Sequence, residues 1–148
     1  EHLLVTPLQM AMVAATVANG GVLMQPHLVD EVRTQSGKLV VRTHPQVVNR
    51  AISAQTAQEL TQMMESVVTG GTGTAAQISG VRVAGKTGTA EIGIKGHYDA
   101  WFIAFAPADH PRVAVAVAIE NATGFGGQVA APIAKSLMEA ILGRKANT

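Results

Sequence analysis

The 148 residues are enough for one domain-sized core, and 47% apolar against only 14% charged residues implies that much of the chain is buried or packed on something. A net charge of +1 with scattered Lys and Arg gives no electrostatic case for nucleic acid, and the absence of cysteine excludes disulfides and thiolate metal sites. No apolar run reaches the roughly 20 residues of a membrane span, and the first seven residues lack the basic and apolar regions of a signal peptide.

The chain opens on Glu1, enters a helix almost at once, and reads as a part of a longer protein. Thr6-Pro7-Leu8-Gln9 is a helix start, with Thr at the N-cap, Pro at the first helical position and Gln closing a capping box. Leu8, Met10, Met12, Val13, Ala15 and Val17 make this helix apolar, and Asn19-Gly20-Gly21 should stop it. Val22–Val32 and Leu39–Arg42 read as two short strands around the turn Gln35-Ser36-Gly37-Lys38. Ser53 caps a second helix at about 54–68, with Ala57, Leu60, Met64 and Val67 at helical spacing, and Gly70–Thr74 ends it in a flexible loop. Residues 82–90, 99–106 and 112–120 read as consecutive antiparallel strands, the last two joined by the short link Pro107–Pro111. In the third, Val113, Val115, Val117 and Ile119 alternate with alanines, as in a central strand covered on both faces. A last helix at about 128–142 carries Ile133, Leu137, Ala140 and Ile141 on one stripe, which should pack on the sheet. Residues 143–148 read as a frayed tail. The sum is an α/β, or layered α+β, domain over residues 1–142, with an antiparallel sheet packed against helices.

Gly80-Val81-Arg82-Val83-Ala84-Gly85-Lys86-Thr87 matches the phosphate-loop pattern G-x-x-x-x-G-K-[ST] letter for letter. Such a loop works only between a buried strand and a helix N-terminus. Gly73–Ser79 is too polar for that strand, and Gly88, Thr89, Gly93 and Gly96 start no helix. The interior of the pattern alternates like a strand itself. The segment is therefore read as a strand bearing the K-T-G box Lys86-Thr87-Gly88, as found in β-lactamases and penicillin-binding proteins. The five histidines show no ligand spacing, so no metal is implied, and no cofactor is expected.

The longer pattern is more specific than the triplet. Ala84-Gly85-Lys86-Thr87-Gly88-Thr89-Ala90-Glu91, His97–Phe102, Phe105-Ala106-Pro107 and the Val/Ala strand ending in Glu120 resemble, in order and spacing, the class B penicillin-binding proteins. Thr6–Met10, Ala18–Gly21 and Ala131–Ala134 resemble that family too, most closely an actinobacterial branch of it. The chain thus looks like the C-terminal part of a transpeptidase domain of the penicillin-binding/β-lactamase-like fold. The resemblance implies a serine D,D-transpeptidase that acts on peptidoglycan stem peptides and binds β-lactams at the outer face of the bacterial cell membrane. Its anchor would lie in a segment absent from this chain. It further implies that the Thr89 amide donates to the oxyanion and that Thr87 and Thr89 hold the terminal carboxylate. Lys86 would supply positive charge and bond the serine of an S-x-N box. Gly88, lacking a side chain, would let the peptide approach the backbone, and an extended peptide can pair with a strand edge.

Other residues are read more plainly. Trp101 and Phe102 are read as core, and His97 and Tyr98 as loop structure. No S-x-x-K or S-x-N occurs, so the nucleophile, its lysine and the second box must come from the remainder of the domain. The alternatives left open are a serine β-lactamase and a non-catalytic β-lactam sensor with the same fold.

Overall fold

The computed structural model describes residues 4–143, so most of the expected tail lies outside the described residues. Helix α1 (Pro7–Ala18) begins where local chemistry sets it. Thr6 Oγ1 accepts from the Gln9 N–H at 3.2 Å, and the Gln9 side chain accepts from the Thr6 N–H at 2.8 Å. Two otherwise unpaired amides are thereby satisfied. Gly20 (φ +60°) and Gly21 (φ +89°) end the helix as expected. A Cβ on Gly21 would lie 2.2 Å from the Ile52 carbonyl oxygen, so this glycine also lets the approach to the second helix pass close by.

The stretch from 22 to 50 corrects the expected pair of strands. Val22–Val32 is split: β1 (Val22–Met24) pairs antiparallel with β4 (Val47–Arg50), whereas β2 (Glu31–Arg33) pairs with β3 (Leu39–Arg42). Pro26 lies between β1 and β2 and lacks the N–H that a ladder needs. Strand β4 has no counterpart in the sequence reading. The turn before β3 is present, with Gly37 at φ +84°. Helix α2 (Ala54–Thr69) starts at Ser53, whose Oγ accepts from the Thr56 N–H at 3.0 Å. It buries Ala57, Met64 and Val68, with Leu60 and Val67 half-buried.

Strands β5 (Ala84–Glu91), β6 (Tyr98–Ala106) and β7 (Val113–Ala122) form one antiparallel sheet in that order. The three expected neighbours are therefore found, with β5 starting two residues later than read. Arg82 still offers its carbonyl to the Ala108 N–H at 2.8 Å. The central strand is β6, and β7 ends the sheet among the described residues, contrary to expectation. The Val/Ala alternation in β7 reflects its two covered faces. Val115 and Val117 join the cluster of α4, and Ala114 packs with Val17 of α1 on the other side.

Two short helices replace the one expected at 128–142: α3 (Gly126–Val129) and α4 (Ala131–Ile141). Pro132 has no N–H to give the Gln128 carbonyl, so a continuous helix cannot run through. The face that α4 buries is also corrected. Ile133, Leu137 and Ile141 are 44%, 45% and 56% exposed, whereas Ala131, Ala134 and Met138 are fully buried. Small residues let the helix approach Val115 and Val117 closely, and flexible Met138 fills the remaining space. Met138→Ala is accordingly expected to cost about 2–5 kcal/mol in urea unfolding. Leu137→Ala should cost under about 1 kcal/mol, as at half-exposed positions generally. The reverse ranking would put the Ile/Leu stripe back in the core.

Candidate active site

The K-T-G box sits on an open edge. Strand β5 is an end strand, and its outer edge has no strand partner among the described residues. The strand runs unbroken through Lys86 to Glu91, so the phosphate-loop pattern is not a phosphate loop. Two contacts set its position. Arg82 Nε and Nη2 donate to the two Glu65 carboxylate oxygens, both at 2.8 Å, tying α2 to the start of β5. The hydrogen bond to Glu65, and then its charge, raise the Arg82 pKa above its ordinary value. The Arg82 side chain is exposed and that of Glu65 largely covered, and with one partner in water the pair contributes orientation more than stability. Gly85 presses on Phe102, and a Cβ there would come within 2.6 Å of the ring.

Alternation along β5 separates the box residues between two faces. Lys86 and Gly88 stand opposite Ile103 and Trp101, while Thr87 and Thr89 stand opposite Phe102 and Ala100. Lys86 is exposed, and its Nζ donates to the Thr87 carbonyl at 2.7 Å. A groove of about 420 Å³ is lined by all four residues from Lys86 to Thr89, together with Trp101 and Ile103 of β6 and with Leu4, Val5 and Met10. Phe102 is fully buried, as expected of a core residue. Trp101 corrects the same expectation: it is half-buried and walls the groove, because odd-numbered residues of β6 face Lys86. Gly88 gains a second reason for lacking a side chain, since a Cβ would lie 3.1 Å from the Trp101 Cβ.

The two threonine hydroxyls on the other face are each engaged from behind. Thr89 Oγ1 accepts from the Gly126 N–H at 3.4 Å, which leaves its own proton free to point outward. Thr87 Oγ1 lies 2.7 Å from Thr72 Oγ1. Gly126 and Gly127 make this closeness possible. A Cβ on Gly126 would lie 2.4 Å from the Gly88 carbonyl oxygen and 2.2 Å from that of Trp101. One on Gly127 would lie 2.0 Å from the Thr72 carbonyl oxygen. The loop Gly70–Thr74, read as flexible, is tied down. The Gly73 N–H reaches the Val67 carbonyl at 2.9 Å, and Gln77 Nε2 donates to the Val68 and Thr69 carbonyls at 2.9 and 3.1 Å.

Of the residues at the site, the sequence reading does not single out Gly126 and Gly127, and it places Thr72 in the loop Gly70–Thr74 and Trp101 in the core. The clusters Gly70-Gly71-Thr72-Gly73 and Gly124-Phe125-Gly126-Gly127 are the only signals that could have pointed to three of them. His97 is a turn residue, as read, whereas Tyr98 corrects the loop expectation: it opens β6 opposite Glu91. The His97 N–H closes a turn to the Ile94 carbonyl at 3.1 Å, and the Tyr98 ring lies 5.3 Å from that of Phe125.

Chemically, the site is an exposed cation, the hydroxyls of Thr87 and Thr89 and a free strand edge, which suits an extended peptide that ends in a carboxylate. No nucleophile with a partner base stands among these residues. The same combination defines a class, and the comparisons agree: the chain matches the penicillin-binding protein transpeptidase domain over residues 3–139. It belongs to that family. It is 43% identical over 146 residues to the peptidoglycan D,D-transpeptidase PbpA of Mycolicibacterium smegmatis, covering 93% of this chain and 29% of that one. It is 40% identical over 143 residues to stage V sporulation protein D of Bacillus subtilis, covering 90% and 22%. Among solved structures, penicillin-binding protein A from M. tuberculosis as a ceftriaxone acyl-enzyme complex superposes with a TM-score of 0.87 at 42% identity. There the coverage is 93% of this chain and 32% of that one. The chain spans about a third or less of the relatives it matches.

Proposed function

We propose that this chain supplies the K-T-G strand of a serine-type D,D-transpeptidase that cross-links peptidoglycan and is acylated by β-lactams. One observation carries the reading: Lys86-Thr87-Gly88-Thr89 lie on an open strand edge, with the Thr89 hydroxyl backed by the Gly126 N–H and the Thr87 hydroxyl paired with that of Thr72. The acyl donor, a stem peptide ending in D-Ala-D-Ala, lies antiparallel along β5. Lys86 and the hydroxyls of Thr87 and Thr89 take its carboxylate. A serine from the remainder of the domain attacks the penultimate carbonyl, and its proton passes to a neighbouring lysine. The Thr89 amide and the serine's own amide hold the oxyanion. As the tetrahedral intermediate collapses, the bond to the terminal D-Ala breaks and its nitrogen takes up the proton. An amine of a second stem peptide then accepts the acyl group.

The family match and the acyl-enzyme complexes of penicillin-binding protein A support this reading. Such a protein works at the outer face of the bacterial cell membrane, held there by a segment outside this chain. The test is labelling of the intact protein with a fluorescent penicillin. A stable label on a serine followed three residues later by lysine is expected. Rapid release of the label would favour a hydrolase, and no labelling at all would overturn the proposal.

A further inference from the structure

The geometry points to Thr72 as a positioning residue that sets the hydroxyl of Thr87 for binding a ligand carboxylate, an inference that rests on the function proposed above. Thr72 is fifteen residues away in sequence, in the loop after α2, yet its Oγ1 lies 2.7 Å from Thr87 Oγ1. That is the usual separation of an O–H···O hydrogen bond. Two hydroxyls carry two protons, and the bond between them uses one. If Thr72 donates, the Thr87 proton is free and its direction is restricted by the bond it accepts. If Thr87 donates, the proton of Thr72 becomes the one that faces outward. In either case the pair presents a single oriented donor, and neither threonine does so alone.

The backbone around Thr72 is built to hold it there. Gly71 lies so close to α2 that a Cβ would come within 2.9 Å of the Val67 Cα. On the other side, Gly127 leaves no room for a side chain against the Thr72 carbonyl. The loop is thus clamped between α2 and α3, while the Thr72 side chain itself stays exposed beside the strand edge. A loop residue with merely a capping or packing role would bond its own loop or be buried, and this one reaches across to the box.

The experiment compares the intact protein with Thr72→Val and Thr72→Ser, using benzylpenicillin and its methyl ester, which lacks the carboxylate charge. Valine keeps the branched shape and removes the hydroxyl, and serine keeps the hydroxyl. Thr72→Val should lower the second-order acylation rate with benzylpenicillin about tenfold, the order expected for one hydrogen bond to a charged group. The loss should appear in the concentration needed for half-saturation and not in the limiting rate. Acylation by the methyl ester should change less than about twofold. Thr72→Ser should behave as wild type with both ligands. A wild-type rate for Thr72→Val with benzylpenicillin would overturn the inference. So would equal losses with both ligands, or a serine variant as slow as the valine one, since a structural role predicts those results. If the unaltered protein is not acylated at all, the proposed function fails, and this inference with it. If it is acylated and only the Thr72 pattern fails, the function stands.

Discussion

Proline at Thr89 should lower acylation of the intact protein by a fluorescent penicillin about a thousandfold, while alanine at the same position costs about tenfold or less. The two substitutions separate the backbone of this residue from its side chain. Alanine removes the hydroxyl that accepts from the Gly126 N–H at 3.4 Å, but leaves the amide in place. Proline removes the amide itself, and one oxyanion donor is worth about 10²–10³ in rate. Its ring also sits badly in a strand paired residue by residue with β6, where Thr89 stands opposite Ala100. The measurement is the second-order acylation rate, after thermal melting has shown both variants to be folded. Equal rates for alanine and proline would take the oxyanion role away from Thr89.

Lys86→Ala is the second large effect, a loss of about a hundredfold in the same assay. The ammonium is exposed, faces the groove and stands beside Gly88, where the ligand backbone passes. Its Nζ donates to the neighbouring Thr87 carbonyl at 2.7 Å, which holds the side chain near the strand, and among the described residues no acidic side chain pairs with it. Removing it takes away the positive charge that faces the carboxylate. Arginine should not restore the rate, because its planar fork cannot occupy the place of a compact ammonium. A wild-type rate for Lys86→Ala would remove the lysine from the mechanism.

What could be read from the sequence was local chemistry. The Thr6-Pro7-Gln9 capping box, the Ser53 cap and the Gly20-Gly21 stop each need only neighbouring residues, and each is in place. The K-T-G strand was legible because Val81, Val83 and Gly85 alternate with Arg82, Ala84 and Lys86, and because nothing after Thr87 can start a helix. The face of α4 was not legible in this way. Ile133, Leu137 and Ile141 form a better apolar stripe than Ala131, Ala134 and Met138, and only the closeness of Val115 and Val117 selects the smaller residues. For strand β7 the pattern was legible only in part: alternating Val and Ala report that both faces are covered, and among the described residues only its edge toward β6 is paired. The Thr72–Thr87 contact depends on how a glycine loop closes over fifteen residues, and no periodicity encodes that.

The tight seat of α3 has an evolutionary side. Gly126 and Gly127 touch the Gly88 and Thr72 carbonyls from behind, on the side of the strand away from the groove where Lys86 stands. A single extra methyl at either position must push the K-T-G strand or its supporting loop toward the incoming ligand. For a penicillin target this opens a route to drug insensitivity through residues that never meet the drug. The same push would reach the stem peptide proposed above for the same edge. Variants of this kind would therefore survive only where the displacement harms the rigid bicyclic inhibitor more than the flexible peptide.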